Sequence, residues 1–243
     1  MLITIITVVY NSKNNIDLTL DSVRRIKNNN IEYVVIDGNS NDGTLDILNK
    51  NIDIIDTLIS EEDKGIYDAM NKGIENSSGK YIAFLNAGDS YLADFNYSTS
   101  LLLNENYDVF SFGINMFKEN SDLIYISPTI INLSKFDPQH MYLPHPGLLV
   151  NREVFNKIGK FNINFKSAGD LDWVNRLILN YDYKIKIINK ALVNFLAGGI
   201  SFSINSFREA RNISIYYRKS IFISNYIFLK QILYYVVKSI KLK

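Results

Sequence analysis

The chain contains no cysteine, and only one tryptophan, two histidines and four prolines, in 243 residues. Without cysteine no disulfide framework is possible, an absence in keeping with the cytosol. The two histidines, His140 and His145, share a proline-rich loop, DPQHMYLPHPG. With no cysteine beside them they match no familiar closed zinc site. No run of about 18 uncharged apolar residues occurs, so a membrane-spanning helix is not expected. The opening MLITIITVVYN has neither a basic n-region nor a small-residue cleavage site, and it reads as a β-strand rather than a leader. Internal repeats and flexible linkers are also missing. We expect one domain with two unequal halves, residues 1–94 and 95–204, followed by a tail.

What is present is a globular composition, 47% hydrophobic and 21% charged. The net charge of +1 hides an asymmetry. Residues 1–204 carry 18 Lys+Arg against 24 Asp+Glu, whereas residues 205–243 carry 8 against 1. A basic tail on an acidic body points to an anionic partner at the C-terminus.

Ile3–Val9 is continuously apolar and β-branched, as a strand covered on both faces should be. Helical spacing follows over 15–25, a second strand over 31–36, a helix over 45–51 and a short strand over 56–60. Then come a helix over 63–76, with Ile66, Met70 and Ile74 on one stripe, and a strand over 80–85. Alternating strands and helices predict a mostly parallel α/β sheet with helices on both faces. Beyond residue 95 the pattern loosens. A hairpin over 109–116 and 123–127, helices over 152–158 and 170–179, and a strand within 184–195 are expected. The tail, 205–243, is helical in character.

Ligands of parallel sheets bind beyond the carboxyl ends of the strands. Polar clusters stand at four such ends: Tyr10-Asn11, Asp37, Ser60-Glu61 and Asn86–Asp89. A carboxylate at Asp37 can accept from a nucleobase N–H or from ribose hydroxyls, or it can close an Asx-turn. In NAGD (86–89), Asp89 can hold a hard cation beside a phosphate, where Mg²⁺ needs only one or two carboxylates. The other reading of NAGD is an ordinary turn. Asp68, Asn71 and Lys72 share a helical face. Asp170 and Asp172 stand at a helix start, and Arg176 lies four residues beyond Asp172, the spacing of an intrahelical ion pair.

Seven motifs occur in order: TVVYN (7–11), IDGNSNDGT (36–44), SEEDKGIYDAMNKGI (60–74), FLNAGD (84–89), PHPGLLV (144–150), GDLDWVNRL (169–177) and GGIS (198–201). Together they resemble the inverting family 2 glycosyltransferases of GT-A (Rossmann-like) fold, in the branch that builds bacterial O-antigen and capsule. The resemblance covers about residues 1–204. It implies transfer of a sugar from a nucleotide-diphosphate donor, a UDP-sugar, to a lipid-linked glycan. It further implies Mn²⁺ or Mg²⁺ at Asp89 and nucleotide contacts from Thr7, Tyr10 and Asp37. Lys64, Asp68 and Asn86 become donor contacts, and Asp170 the general base. His145, Asp172, Trp173, Arg176, Gly199 and Ser201 become acceptor or diphosphate contacts, a core or cap role being the other reading of Trp173. Acidic residues are common in relatives where this chain has Gly38, Asn86 and Gly88.

The tail stretch IFISNYIFLKQILYYVV (221–237), flanked by basic residues, reads as a helix lying on a membrane surface or packing in a homodimer. A polyprenyl-diphosphate-linked acceptor and a peripheral location on the inner face of the cytoplasmic membrane follow from the resemblance. No nucleic-acid partner is expected. Two other functions fit less well. One is a nucleotide-sugar-binding protein of weak turnover, which an intact Asp170 disfavours. The other is a nucleotidyltransferase, which would carry a glycine-rich loop where this chain has VVYNSKNN.

Overall fold

The computed structural model describes residues 2–100, 105–117, 123–129, 134, 136–179, 183–198, 203–217 and 220–241, with side chains to position 233. The elements run β1 (Ile3–Val9), α1 (Ile16–Ile26), β2 (Ile31–Asp37), α2 (Thr44–Lys50), β3 (Thr57–Ser60), α3 (Ile66–Glu75), β4 (Tyr81–Phe84), β5 (Ser90–Tyr91) and α4 (Phe95–Ser100). They continue with β6 (Val109–Phe117), β7 (Ile124–Ile126), β8 (Leu148–Asn151), α5 (Arg152–Ile158), α6 (Gly169–Leu179), β9 (Ile185–Leu196), α7 (Ile204–Tyr216) and α8 (Ile221–Lys241).

One sheet runs through both halves in the order β3-β2-β1-β4-β8-β6-β9-β5, with β7 paired to β6. The first four strands are parallel, and β8 enters antiparallel to β4. Every residue of β1 and β2 is buried, which is why both read as unbroken apolar runs. Alternation along β1 divides its side chains between two cores. Ile3, Ile5 and Val9 meet Leu20 and Val23 of α1 on one face. Ile6 and Val8 meet Tyr67, Met70 and Ile74 of α3 on the other. Both faces are therefore covered by helices.

Register fixes the working edge. Val9 pairs with Asp37, and Asp37 with Ser60, so the strands end in line. Because β8 runs antiparallel to β4, the short 3₁₀ turn His145–Gly147 that precedes it lies at the same edge. The opposite edge is closed by backbone. A Cβ on Gly79 would lie 2.6 Å from both the Thr4 amide nitrogen and Thr4 Oγ1. Gly79→Ala is therefore expected to cost about 2 kcal/mol, the size of a typical overpacking penalty. Urea unfolding checks this, and an unchanged midpoint would mean that the edge can relax.

The C-terminal segment forms two helices, α7 and α8. Among the described residues no helix is long and apolar enough to cross a membrane.

Candidate active site

Asp37 ends β2 fully buried. Its Oδ2 accepts from Ser60 Oγ at 2.6 Å and from the Ser40 amide at 3.1 Å. Its Oδ1 is buried and receives no hydrogen bond. A buried carboxylate oxygen without a donor is costly and marks a place where a donor belongs. The loops beyond β1 and β2 are locked together around it. Asn11 donates its amide to Ser40 Oγ, and the Asn41 amide donates to Asn11 Oδ1. Tyr10, 61% exposed, stands at the mouth.

Sequence reasoning passed over Asp63 in this region. Its Oδ1 accepts from the Gly65 amide, and its Oδ2 lies 2.5 Å from where a Gly38 Cβ would be. The carboxylate occupies the space above Gly38, beside the Tyr10 ring. A side chain at position 38 would collide with this carboxylate, so Gly38 leaves the room that Asp63 fills.

The NAGD segment forms a turn in which the Asp89 amide bonds the Asn86 carbonyl at 3.0 Å, with Gly88 in the left-handed region at φ 97°. Thr19 Oγ1 of α1 ties this turn down, donating to the Asp89 carbonyl and accepting from the Gly88 amide. Asp89 is only 2% exposed, and its Oδ1 accepts from the Leu196 amide. Burial pushes its carboxyl up to about 7, partly offset by the backbone of Leu196 and Asn86. Asn86 Oδ1 is buried without a partner. A turn that only reversed the chain would have no use for a buried carboxylate and an orphaned carbonyl oxygen. Two hard oxygen donors with substrate phosphates completing the shell are a fit for Mg²⁺ or Mn²⁺. Among the described residues no group of three or more His, Cys, Asp or Glu could hold a metal by itself.

The third cluster joins three elements. Asp170, in the first turn of α6, accepts at Oδ1 from Tyr67 Oη at 3.1 Å and from the Leu171 amide at 2.9 Å. Tyr67, on α3, was not singled out in the sequence. His145 stacks on Phe84, the last residue of β4, with ring centroids 5.2 Å apart. Burial lowers the His145 pKa, opposed by the Asp170 charge. Asp170 Oδ1 is committed twice. Oδ2 is the oxygen left to take a proton.

Several expected contacts turn inward and need correction. Thr7 is fully buried, donates to the Leu85 carbonyl at 2.7 Å and accepts from Tyr33 Oη at 3.0 Å, so its hydroxyl is used between strands. Trp173 is also fully buried, stacked on Phe155 at 4.7 Å with its Nε1 donating to the Gly159 carbonyl. It cannot offer a face to a sugar. Arg176 donates to the carbonyls of Ile158, Gly159 and Lys160 and pairs with Asp172 at 3.1 Å. Asp172 accepts from Arg176 and from Tyr217 Oη. Both side chains brace α6 instead of facing a cleft.

Asp68 receives the Lys64 amide at 3.0 Å, closing the loop into α3, and the exposed Lys64 takes Lys166 Nζ on its carbonyl at 2.8 Å. His140 is exposed, edge-on to Tyr142 at 4.6 Å. Gly199 and Ser201 lie outside the described residues.

The sheet, with its acceptor-lined rim, is that of the GT-A fold. The structure of S. aureus TarS 1–349 in complex with UDP-GlcNAc matches it with a TM-score of 0.71, over 96% of this chain and 72% of that one, at 18% identity. The mannosyltransferase PcManGT of Pyrobaculum calidifontis, in complex with GDP-Man and Mn²⁺, matches with a TM-score of 0.66 over 93% of this chain and 69% of that one, at 16% identity. At such identities it is the fold that is shared.

Residues 4–168 match the sequence profile of glycosyl transferase family 2, and the chain belongs to that family. A PGL/p-HBAD biosynthesis glycosyltransferase of Mycobacterium bovis is 29% identical over 174 residues, covering 66% of this chain and 63% of that protein. The chain thus spans less than two thirds of that relative. The UDP-Glc:alpha-D-GlcNAc-diphosphoundecaprenol beta-1,3-glucosyltransferase WfaP of Escherichia coli is 29% identical over 215 residues, 86% of this chain and 82% of WfaP.

Proposed function

We propose that this protein is an inverting glycosyltransferase that moves a sugar from a UDP-sugar to a lipid-linked glycan acceptor in the synthesis of a bacterial surface polysaccharide. The observation that carries this reading is the pair of buried oxygens without donors, Asp37 Oδ1 and Asn86 Oδ1, at the ends of β2 and β4, the two parallel strands that flank β1. A uracil N3–H would satisfy the first, and a cation carried with the donor's diphosphate would satisfy the second. The UDP-sugar in the names of TarS and WfaP supports the choice of base. Tyr10 and Asp63 complete the nucleotide side, and Lys64 and Asp68 approach the ribose and sugar.

Asp170 Oδ2 takes the proton of the acceptor hydroxyl as that oxygen forms its bond to C1. The C1–O bond to phosphate breaks on the opposite face, UDP leaves with the electron pair, and the anomeric configuration inverts. Tyr67 holds Oδ1, and so sets the direction of Oδ2. His145 lines the acceptor side, anchored on Phe84. Asp89 and Asn86 would hold a divalent cation, which would supply charge neutralisation to the departing diphosphate.

A lipid-linked acceptor requires the enzyme to reach a membrane, and the tail offers a means. Phe222, Tyr226, Leu229 and Leu233 of α8 recur at helical spacing and are 60–82% exposed. Eight basic residues and a single acid surround this stripe in the tail. A second copy of the tail would bring like charges together, whereas an anionic bilayer complements them. The protein is then peripheral on the inner face of the cytoplasmic membrane. It is expected to sediment with phosphatidylglycerol-rich vesicles and to stay in solution as the Phe222→Glu/Leu229→Glu variant. Equal sedimentation of both would remove α8 as the anchor.

The test of the function is UDP release from UDP-Glc, UDP-GlcNAc and UDP-Gal in the presence of a GlcNAc-diphospholipid. Release that depends on the acceptor is expected with one donor. No release above hydrolysis, together with UDP binding, would favour the binding protein of weak turnover.

A further inference from the structure

Glu209 is the only acidic residue beyond position 204, in a segment with eight basic ones. Half-buried on α7, it makes no ion pair with those neighbours among the described residues. Its carboxylate instead grips the backbone of another element. Oε1 accepts from the Lys166 amide at 2.8 Å. Oε2 accepts from the amides of Ser167 and Ala168, each at 2.9 Å, and from Ser167 Oγ at 3.1 Å.

These are the last three residues before α6, whose first turn carries Asp170. Amides at a helix start have no intrahelical partner, and a carboxylate both satisfies them and complements the helix dipole. A second tie follows four residues on, where Tyr217 Oη donates to Asp172 Oδ1 at 3.2 Å. Between the two ties Ala168 and Leu171 pack on Ile213, with Ala210 and Tyr217 alongside. On the opposite side Gly169 presses on Tyr67. A Cβ there would lie 2.8 Å from the ring. The turn that bears Asp170 is therefore held between α3 and the tail.

We infer that Glu209 is a positioning residue for the transfer step: through the amides of residues 166–168 it fixes the backbone that aims the Asp170 carboxylate at the acceptor. The tail is then part of the catalytic apparatus as well as a candidate membrane seat. The inference rests on the reading of Asp170 as the base. An apolar seat remains when the carboxylate is removed, so the side chain can be altered without losing α7.

The experiment compares Glu209→Ala, Glu209→Gln, Asp170→Asn and the double variant Asp170→Asn/Glu209→Ala in the full chain. It reads kcat by UDP release and UDP affinity by calorimetry. Small misplacements from changes outside the reacting groups can cost up to about 100-fold. Glu209→Ala is expected to lower kcat at least tenfold with the UDP Kd within twofold of the parent. Glu209→Gln keeps an acceptor oxygen and is expected to lose less. In the Asp170→Asn background, Glu209→Ala is expected to cost nothing further, as for residues that act as a unit.

An unchanged kcat in Glu209→Ala would overturn the inference. So would the same fold-loss in both backgrounds, or a fall in kcat matched by weaker UDP binding, each of which describes a general staple. Should Glu209→Ala fail to fold, Glu209→Gln carries the same comparison. If Asp170→Asn alone retains the parent kcat, the base assignment itself fails, and that result is separable from the others.

Discussion

Asp170→Asn is expected to lower kcat by about 10³-fold, the middle of the range for loss of a general base, while the UDP Kd changes less than twofold. Asparagine is nearly isosteric, and its side-chain carbonyl can still accept from Tyr67 Oη and the Leu171 amide, the bonds that hold Oδ1 now. Binding geometry therefore survives and proton acceptance does not. On the proposed reading the nucleotide end is held elsewhere, at Asp37 and Tyr10 across the rim, so affinity should not follow activity. Single-turnover transfer together with calorimetry checks both halves. Loss of UDP binding in step with kcat would place Asp170 in the donor site instead.

The second large effect concerns Asp89, and its sign can be worked out. Its carboxyl titrates near 7 in the fold against an ordinary 3.8, because burial disfavours the charge. Between about pH 4 and pH 7 the unfolded chain has released this proton and the native one has kept it. Stability therefore falls as pH rises through that window, and the loss levels off above the folded value. In metal-free protein the melting temperature should be lower at pH 8 than at pH 5 by about 5–10 °C, from a free-energy change of a few kcal/mol. In Asp89→Asn this part of the pH dependence should vanish. Adding Mn²⁺ to the UDP-bound protein should raise the melting temperature of the parent at pH 8 and add nothing to that of UDP-bound Asp89→Asn. Scanning calorimetry of both proteins at the two pH values decides the point. A parent and a variant with the same pH profile would mean that Asp89 is already ionised and otherwise paired.

How much of this was legible without coordinates depended on what kind of signal each residue gave. The parallel strands β1, β2 and β4 announce themselves because burial on both faces makes them unbroken apolar runs, each ending in a polar cluster. The rim position of Asp37 and Asn86–Asp89 followed directly. Thr7 entered the site only through the family resemblance, whereas its hydroxyl is shared between Leu85 and Tyr33 inside the sheet. Trp173 carried a signal that outweighed its rarity: Leu177 lies four residues on, on the same face, and both belong to the core.

The pairing of Asp172 with Arg176 was readable from their spacing, and the structure contains it. β8 was hidden because Leu148–Asn151 follows the histidine motif without a break. Asp63 and Tyr67 lay inside a motif already noticed. Their roles depend on Gly38 and Asp170, 25 and 103 positions away along the chain, and no local pattern reports such meetings. Glu209 is the extreme case. Its partners precede it by 41 to 43 positions, and only its isolation among basic residues set it apart.

The central claim is that the rim from Asp37 to Asp89 is a metal-assisted site for a uridine diphosphate. Calorimetric titration with UDP, with and without Mn²⁺, on the parent protein and on Asp89→Ala, tests it most directly. UDP binding that strengthens at least tenfold with Mn²⁺ in the parent, and not in the variant, is the predicted result. UDP binding indifferent to the metal, or none in either condition while GDP binds, would contradict it.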